Sequence, residues 1–229
     1  MIGPGQFMAC ISRGQVVPAE KNLFFVDFAN GVYDQGPDDL AVYLYGDATY
    51  YESDGVLGVG SSGGGNFQPE LRANNNSFQV WNYPIGFEID MIRTAPAGLG
   101  WCRAVAWGQN ATNNSWQIFF TDLVVNSVAT GGIADIYLSK SLGGVPFIRA
   151  QGVDIPEGER FKLKFVALDS ARWRMYLNDV LVASVDDFAG EPGHVPVHMR
   201  VGRDPSITAE FPGSRLIGVI NSFRTFRPA

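Results

Sequence analysis

The chain has 229 residues, a formal net charge of −6 and a 46% hydrophobic composition. That apolar share is enough for a sizeable core and excludes a globally disordered chain. The acidic balance, with Lys and Arg scattered along the chain, excludes non-specific nucleic-acid binding, which draws its affinity from clustered cations.

Residues 1–21 come first and show no periodicity. Gly3, Pro4, Gly5, Gly14 and Pro18 break any helix, so the segment reads as an extended arm. It carries no basic stretch followed by an apolar run, so a secretion signal is not expected. Ile2, Phe7, Met8 and Ile11 make it too apolar to stand in water. The expectation is that this arm docks on a neighbouring subunit, either another copy or a different structural protein, by strand addition. Residues 22–229 are expected to form one β-sandwich domain, a size that all-β domains reach undivided.

Strands are expected at 23–28, 40–45, 49–52, 67–72, 77–81, 87–93, 101–107, 115–121, 133–139, 145–149, 197–201 and 216–226. Nearly every gap holds Gly, Pro, Asn, Asp or Ser, and no segment has a helical period longer than a turn. Residues 58–66, rich in Gly and Ser, read as a surface loop. No apolar run approaches the roughly 18 residues of a membrane-spanning helix.

The stretch 159–186 is the most regular. Phe161, Leu163, Phe165 and Ala167 alternate with Lys162 and Lys164, a period of two that places the apolar set on one face. Asp169-Ser170 reads as a tight two-residue turn. Trp173, Met175 and Leu177 then alternate with Arg174 and Tyr176, and Asn178-Asp179 turns the chain again. Asn and Asp tolerate the left-handed backbone that a type I′ hairpin needs.

The segment from Arg172 to Ser184, RWRMYLNDVLVAS, resembles the late hairpin of laminin-G-like and concanavalin A-like lectin domains. Phe25 to Tyr33 resembles the opening strand of that superfamily. Ile85 to Thr94 resembles its strand of the form F-x-I-x-x-x-I-R, and Leu216 to Phe226 its closing strand. The resemblance implies an all-β fold of two antiparallel sheets in a jelly-roll sandwich, with the first and last strands adjacent and Trp173 in the core.

Laminarinase-type endoglucanases share this sandwich and carry a Glu, a hydrophobic residue and an Asp on one strand, followed by a second Glu. The two glutamates work as nucleophile and general acid/base, about 5–5.5 Å apart. Here Glu88 and Asp90 match, but Ile92 and Arg93 stand where the second Glu would be. Without a proton donor for the leaving group the mechanism is incomplete, so no catalytic residue is expected. Glu88 and Asp90 then read as the solvent side of a strand whose Phe87, Ile89 and Met91 face the core, and Glu88→Gln should change nothing.

The remaining leads concern binding. His194 and His198 are separated by Pro196 and, on a strand, would stand about 13 Å apart, so no zinc site is expected. Cys10 and Cys102 lack metal-ligand spacing and do not make a disulfide framework. Calcium is common among the lectin relatives, and Asp38, Asp39, Asp186, Asp187 and Asp204 are the available oxygen donors, without a ligand set that can be assigned. Sugars dock on aromatic faces beside amide-rich loops. Trp81, Tyr83, Trp107, Asn110, Asn113 and Trp116 are the candidate carbohydrate contacts on that ground. Asn75, Asn110 and Asn113 also stand in glycosylation sequons.

The reading that combines these features is a non-catalytic structural or attachment protein on the surface of a virion, most of all a bacteriophage. Its expected partners are further virion proteins, itself and host surface glycans. A soluble carbohydrate-binding lectin of cellular origin is the alternative, with a laminarinase-type glycoside hydrolase behind it.

Overall fold

In the computed structural model, residues 20–37, 40–45, 49–59, 70–74, 83–93, 102–107, 116–125, 128–139, 146–169, 171–187, 198–201 and 218–229 are described. The arm residues 1–19, the expected strand at 77–81, and Asp38, Asp39, His194 and Asp204 lie outside them. The described residues form fifteen strands and no helix.

One sheet contains β1 (Lys21–Asp27), β3 (Thr49–Tyr51), β4 (Val56–Val59), β6 (Ile85–Arg93), β11 (Arg160–Ala167), β12 (Trp173–Leu177), β13 (Val180–Val185) and β15 (Gly218–Arg227). Its order is β13-β12-β11-β6-β15-β4-β3, with β1 beside the other half of β15. The second sheet contains β2 (Val42–Tyr45), β5 (Glu70–Asn74), β7 (Cys102–Trp107), β8 (Trp116–Val125), β9 (Val128–Ser139), β10 (Pro146–Asp154) and β14 (His198–Val201). Its order is β10-β9-β8-β7-β14-β5-β2. The pairs are antiparallel, and the first strand lies against the last, Phe25 opposite Arg224. This is the all-β jelly-roll sandwich expected from the sequence.

Alternation explains why these residues enter the core. Phe24, Val26 and Phe28, then Phe87, Ile89 and Met91, then Phe161, Leu163 and Phe165 point inward and are buried. Ile136, Ile148 and Ala150 of the second sheet join the same cluster. Trp173 is 1% exposed, a core residue as its place in the strand period requires. Arg93 shares the inward parity of β6 and is fully buried. Its Nη2 donates to the Ile155 carbonyl just past β10 at 3.0 Å, tying one sheet to the other.

Two local expectations are corrected. Asn178 and Asp179 do form the left-handed two-residue turn, with φ of 49° and 64°. The earlier connection is longer than the expected Asp169-Ser170 turn. Ala167 pairs with Trp173, and Leu168 N–H donates to the Arg172 carbonyl at 2.9 Å. Asp169 builds that loop by accepting from the Ala171 and Arg172 backbone and from Arg172 Nε. The second correction is β4. Residues 58–66 read as loop, yet Gly58 and Val59 complete a strand paired with β3 and β15. At Gly58 a Cβ would stand 2.6 Å from the Tyr51 ring, so the glycine is there for close packing and not for flexibility.

The free edge of β1 is closed by the segment that follows it, in which Gln35 donates its backbone N–H to the Phe25 carbonyl at 2.6 Å and its Nε2 to the Asp27 carbonyl at 2.9 Å. Asp34 is buried, and its carboxylate accepts from the backbone N–H of Phe25 at 2.9 Å, Gly36 at 2.7 Å and Leu40 at 2.8 Å. Those bonds hold residues 34–36 over the strand edge and remove a template for edge pairing.

Candidate functional site

The outer face of the first sheet carries the residues that the glucanase comparison singled out. By register, Glu88 stands between Lys164 of β11 and Arg224 of β15, and Asp90 between Lys162 and Ser222. The expectation that Glu88 and Asp90 are solvated is overturned, since they are only 8% and 6% exposed. Long cationic side chains on the neighbouring strands close over them, which alternation within β6 alone could not reveal.

Each carboxylate is held by a guanidinium fork. Arg224 Nε donates to Glu88 Oε1 at 3.0 Å and Nη2 to Oε2 at 2.9 Å. Arg160 Nε donates to Asp90 Oδ1 at 2.7 Å and Nη2 to Oδ2 at 2.9 Å. Two parallel charge-assisted bonds fix both oxygens of each acid. Glu20, just before β1, adds a contact to Arg224 at 2.7 Å. Arg224 also lies over the Phe226 ring, 4.4 Å from its centroid. A Cβ on Gly86 would meet that ring at 2.3 Å, which leaves Gly86 as the seat for Phe226.

The titration of these cations follows from the pairing. Burial pushes the Arg224 guanidinium down, but hydrogen bonding and charge from Glu88 with Glu20 outweigh it, so the net shift is upward. Arg160 is raised chiefly by its bond to Asp90. Burial likewise pulls Lys164 down, and the 2.7 Å bond to Asp179 reverses the sign. Asp179 is held below the usual carboxylate range, first by that lysine. The face is therefore charge-compensated and cross-linked. Both Glu88 oxygens are taken, Arg93 faces inward, and Ile92 stands beside Asp90, so no arrangement for nucleophilic attack and proton donation exists on β6.

The candidate carbohydrate contacts are placed as follows. Tyr83 is half-buried and packs against the core beside β6. Trp107 and Trp116 are cross-strand partners at the ends of β7 and β8, flanking residues 108–115. The pair therefore sits at the base of the amide-rich segment that contains Asn110 and Asn113. Trp81, Asn110 and Asn113 lie outside the described residues. Among the calcium candidates, Asp186 accepts from Arg174 Nη2 at 2.6 Å. Among the described residues no group of three or more His, Cys, Asp or Glu is arranged to hold a metal ion.

The sequence matches no family model and no curated protein. The fold is similar to solved botulinum neurotoxin binding domains. One is the binding domain of botulinum neurotoxin DC in complex with SialylT, at TM-score 0.64 and 11% identity over 91% of this chain and 48% of that one. The same toxin's binding domain in complex with rat synaptotagmin II gives 0.65 and 12%, over 91% and 49%. A botulinum neurotoxin type C structure, whose cell entry is described as dependent upon interaction with two ganglioside molecules, gives 0.64 and 13%, over 91% and 49%. This chain spans about half the length of those chains. At such identities the likeness establishes the fold.

Proposed function

We propose that the chain is a non-catalytic, glycan-recognising sandwich of the concanavalin A-like kind, displayed on a virion surface. The observation that carries the non-catalytic part is the double fork on β6. Arg224 and Arg160 occupy both oxygens of Glu88 and Asp90, so the one strand that resembles a glucanase strand serves as a structural clamp. A sandwich whose central carboxylates are spent on its own arginines has its recognition surface elsewhere.

Glycans are the ligand class because the similar toxin domains are described with SialylT and with gangliosides, and because an amide-rich segment leaves the sheet at Trp107 and returns at Trp116. Asn110 and Asn113 supply directional hydrogen bonds to hydroxyls in this reading, with Trp81, Tyr83, Trp107 and Trp116 as the aromatic part of the site. The virion setting comes from the apolar arm with Ile2, Phe7, Met8 and Ile11, which anchors the domain to a neighbouring structural subunit.

A glycan array probed with the purified protein tests the recognition. Binding of defined saccharides, weakened in Asn110→Ala and Asn113→Ala, is the expected result, and an array with no saccharide bound refutes it. Release of reducing sugar from β-glucans, abolished by Glu88→Gln, would refute the non-catalytic reading. Mass spectrometry of purified particles tests the setting.

A further inference from the structure

Beyond the Arg160–Asp90 fork, the outer face of the first sheet continues across β15 and β4 to the edge strand β3. On that edge Tyr51 is 47% exposed. Its ring rests against Gly58 of the next strand, where a Cβ would stand 2.6 Å from the ring edge. The glycine thus seats the ring on the backbone, held on one side and open on the other. Register extends the position inward across the sheet. Gly58 pairs with Val219, Val219 with Ile92, and Ile92 with Arg160. Val219 and Ile92 are half-buried, and each sits beside a residue of inward parity that is fully buried, Ile220 and Met91. The row crosses three strand spacings, about 14 Å. It reads aromatic ring, aliphatic, aliphatic, guanidinium.

Polar groups with valence to spare border this strip. Arg160 engages Asp90 through Nε and Nη2, its side chain is 61% exposed, and its Nη1 remains a donor. Asn221 faces the same way, since its Nδ2 approaches Asp90 Oδ1 at 3.4 Å, a contact long enough to exchange for a better partner. Asp27 pairs with Ser222 and accepts from Asn30 Nδ2 at 3.1 Å, which puts an amide at the rim. A sugar ring has C–H groups on its faces and hydroxyls around its edge. An apolar strip with directional donors and acceptors along its border matches that shape. A ring already seated on glycine loses little freedom on binding.

Charge selects among sugars. Glu52 and Asp54 are exposed on the turn after Tyr51, and Asp27 stands close enough to act on Arg160. These carboxylates, together with Asp90, outnumber the Arg160 and Lys162 cations at this end of the face, so a sialylated or uronic ligand meets like charge. Resting on the glycan-recognition reading above, we infer that Tyr51 and the strip from Val219 to Arg160 form a contact for neutral hexose chains, separate from the Trp107–Trp116 end of the other sheet.

The test is an array of neutral oligosaccharides and their sialylated counterparts, probed with the full chain. Calorimetric titration with the best-bound neutral oligosaccharide follows. Neutral hexose chains should be bound, and sialylation should not strengthen them. Tyr51→Ala should lose about tenfold in affinity, the worth of one stacked ring. Tyr51→Phe keeps the ring and should keep the affinity, and Leu181→Ser, at the opposite edge of the same sheet, should lose none. Near-ultraviolet circular dichroism checks each fold. Should the alanine variant unfold, Tyr51→Val keeps the strand preference without the ring and should lose the same affinity. Binding confined to acidic sugars, or wild-type affinity in a folded variant without the ring, overturns the inference and leaves glycan recognition standing. An array with no saccharide bound removes the underlying reading instead.

Discussion

Replacing Glu88 with Gln keeps the shape of the side chain and removes the charge that Arg224 clamps. In the wild type the Glu88 side chain is 9% exposed and that of Arg224 20%, with bonds of 3.0 and 2.9 Å between them. Breaking a fully buried ion pair from one side costs about 3–5 kcal/mol, because the remaining charge stays desolvated. Two features reduce that figure here. Arg224 keeps Glu20 at 2.7 Å, and its partial exposure lets water screen part of the loss. The expected cost is therefore about 2–3 kcal/mol, with the glutamine carbonyl oxygen still accepting one guanidinium N–H while its NH2 group faces the other donor and cannot accept from it. For a chain of this size that is a fall in Tm of roughly 5–10 °C. Urea unfolding of wild type, Glu88→Gln, Arg224→Met and the double variant measures it. The double variant should recover part of the loss, since removing both charges leaves none stranded. A Glu88→Gln variant within about 0.5 kcal/mol of wild type, with no coupling to Arg224, would show Glu88 to be a solvated carboxylate after all.

Three further outcomes follow from the packing. Trp173→Ala should cost about 3–5 kcal/mol in chemical unfolding, because the ring is buried between the sheets. Asp34→Ala should cost about 2–4 kcal/mol by stranding the N–H groups of Phe25, Gly36 and Leu40, with faster amide exchange along β1 as the local signature. Asp179 titrates below the usual aspartate range because of Lys164, so its stabilising contribution is full above that range and is lost as pH falls through the lowered value. Asp179→Asn, which keeps the left-handed turn, should flatten the acid limb of the stability–pH profile. An unchanged acid limb would show that the Lys164 bond contributes nothing.

Local sequence carries local geometry, and much of this fold is local. The alternation of Phe161, Leu163 and Phe165 fixed which face of β11 is inward before any partner strand was known, and Asn178-Asp179 declared its own turn through tolerance of positive φ. The same period of two, with the family resemblance, puts Trp173 in the core. Where glycine removes the side-chain signal, the sequence is silent. Gly58 reads as loop, although its lack of a Cβ is what admits the Tyr51 ring and lets β4 pair. The connection after Ala167 is longer than its sequence suggests, since its length is set by Asp169 accepting from residues further along the chain.

The charged residues were the least legible, for a physical reason. Whether Glu88 meets water depends on Arg224, which is 136 positions away, and on Glu20, which reaches the same guanidinium from the opposite end of the chain. A period of two states only that Glu88 faces away from the core. What covers that face is decided by strand order, which brings β15 and β11 to either side of β6. The sequence by itself thus determined the strand period, the turns and the inward set. The tertiary structure alone decided which charges meet, because electrostatic partners are chosen by distance in space and not along the chain.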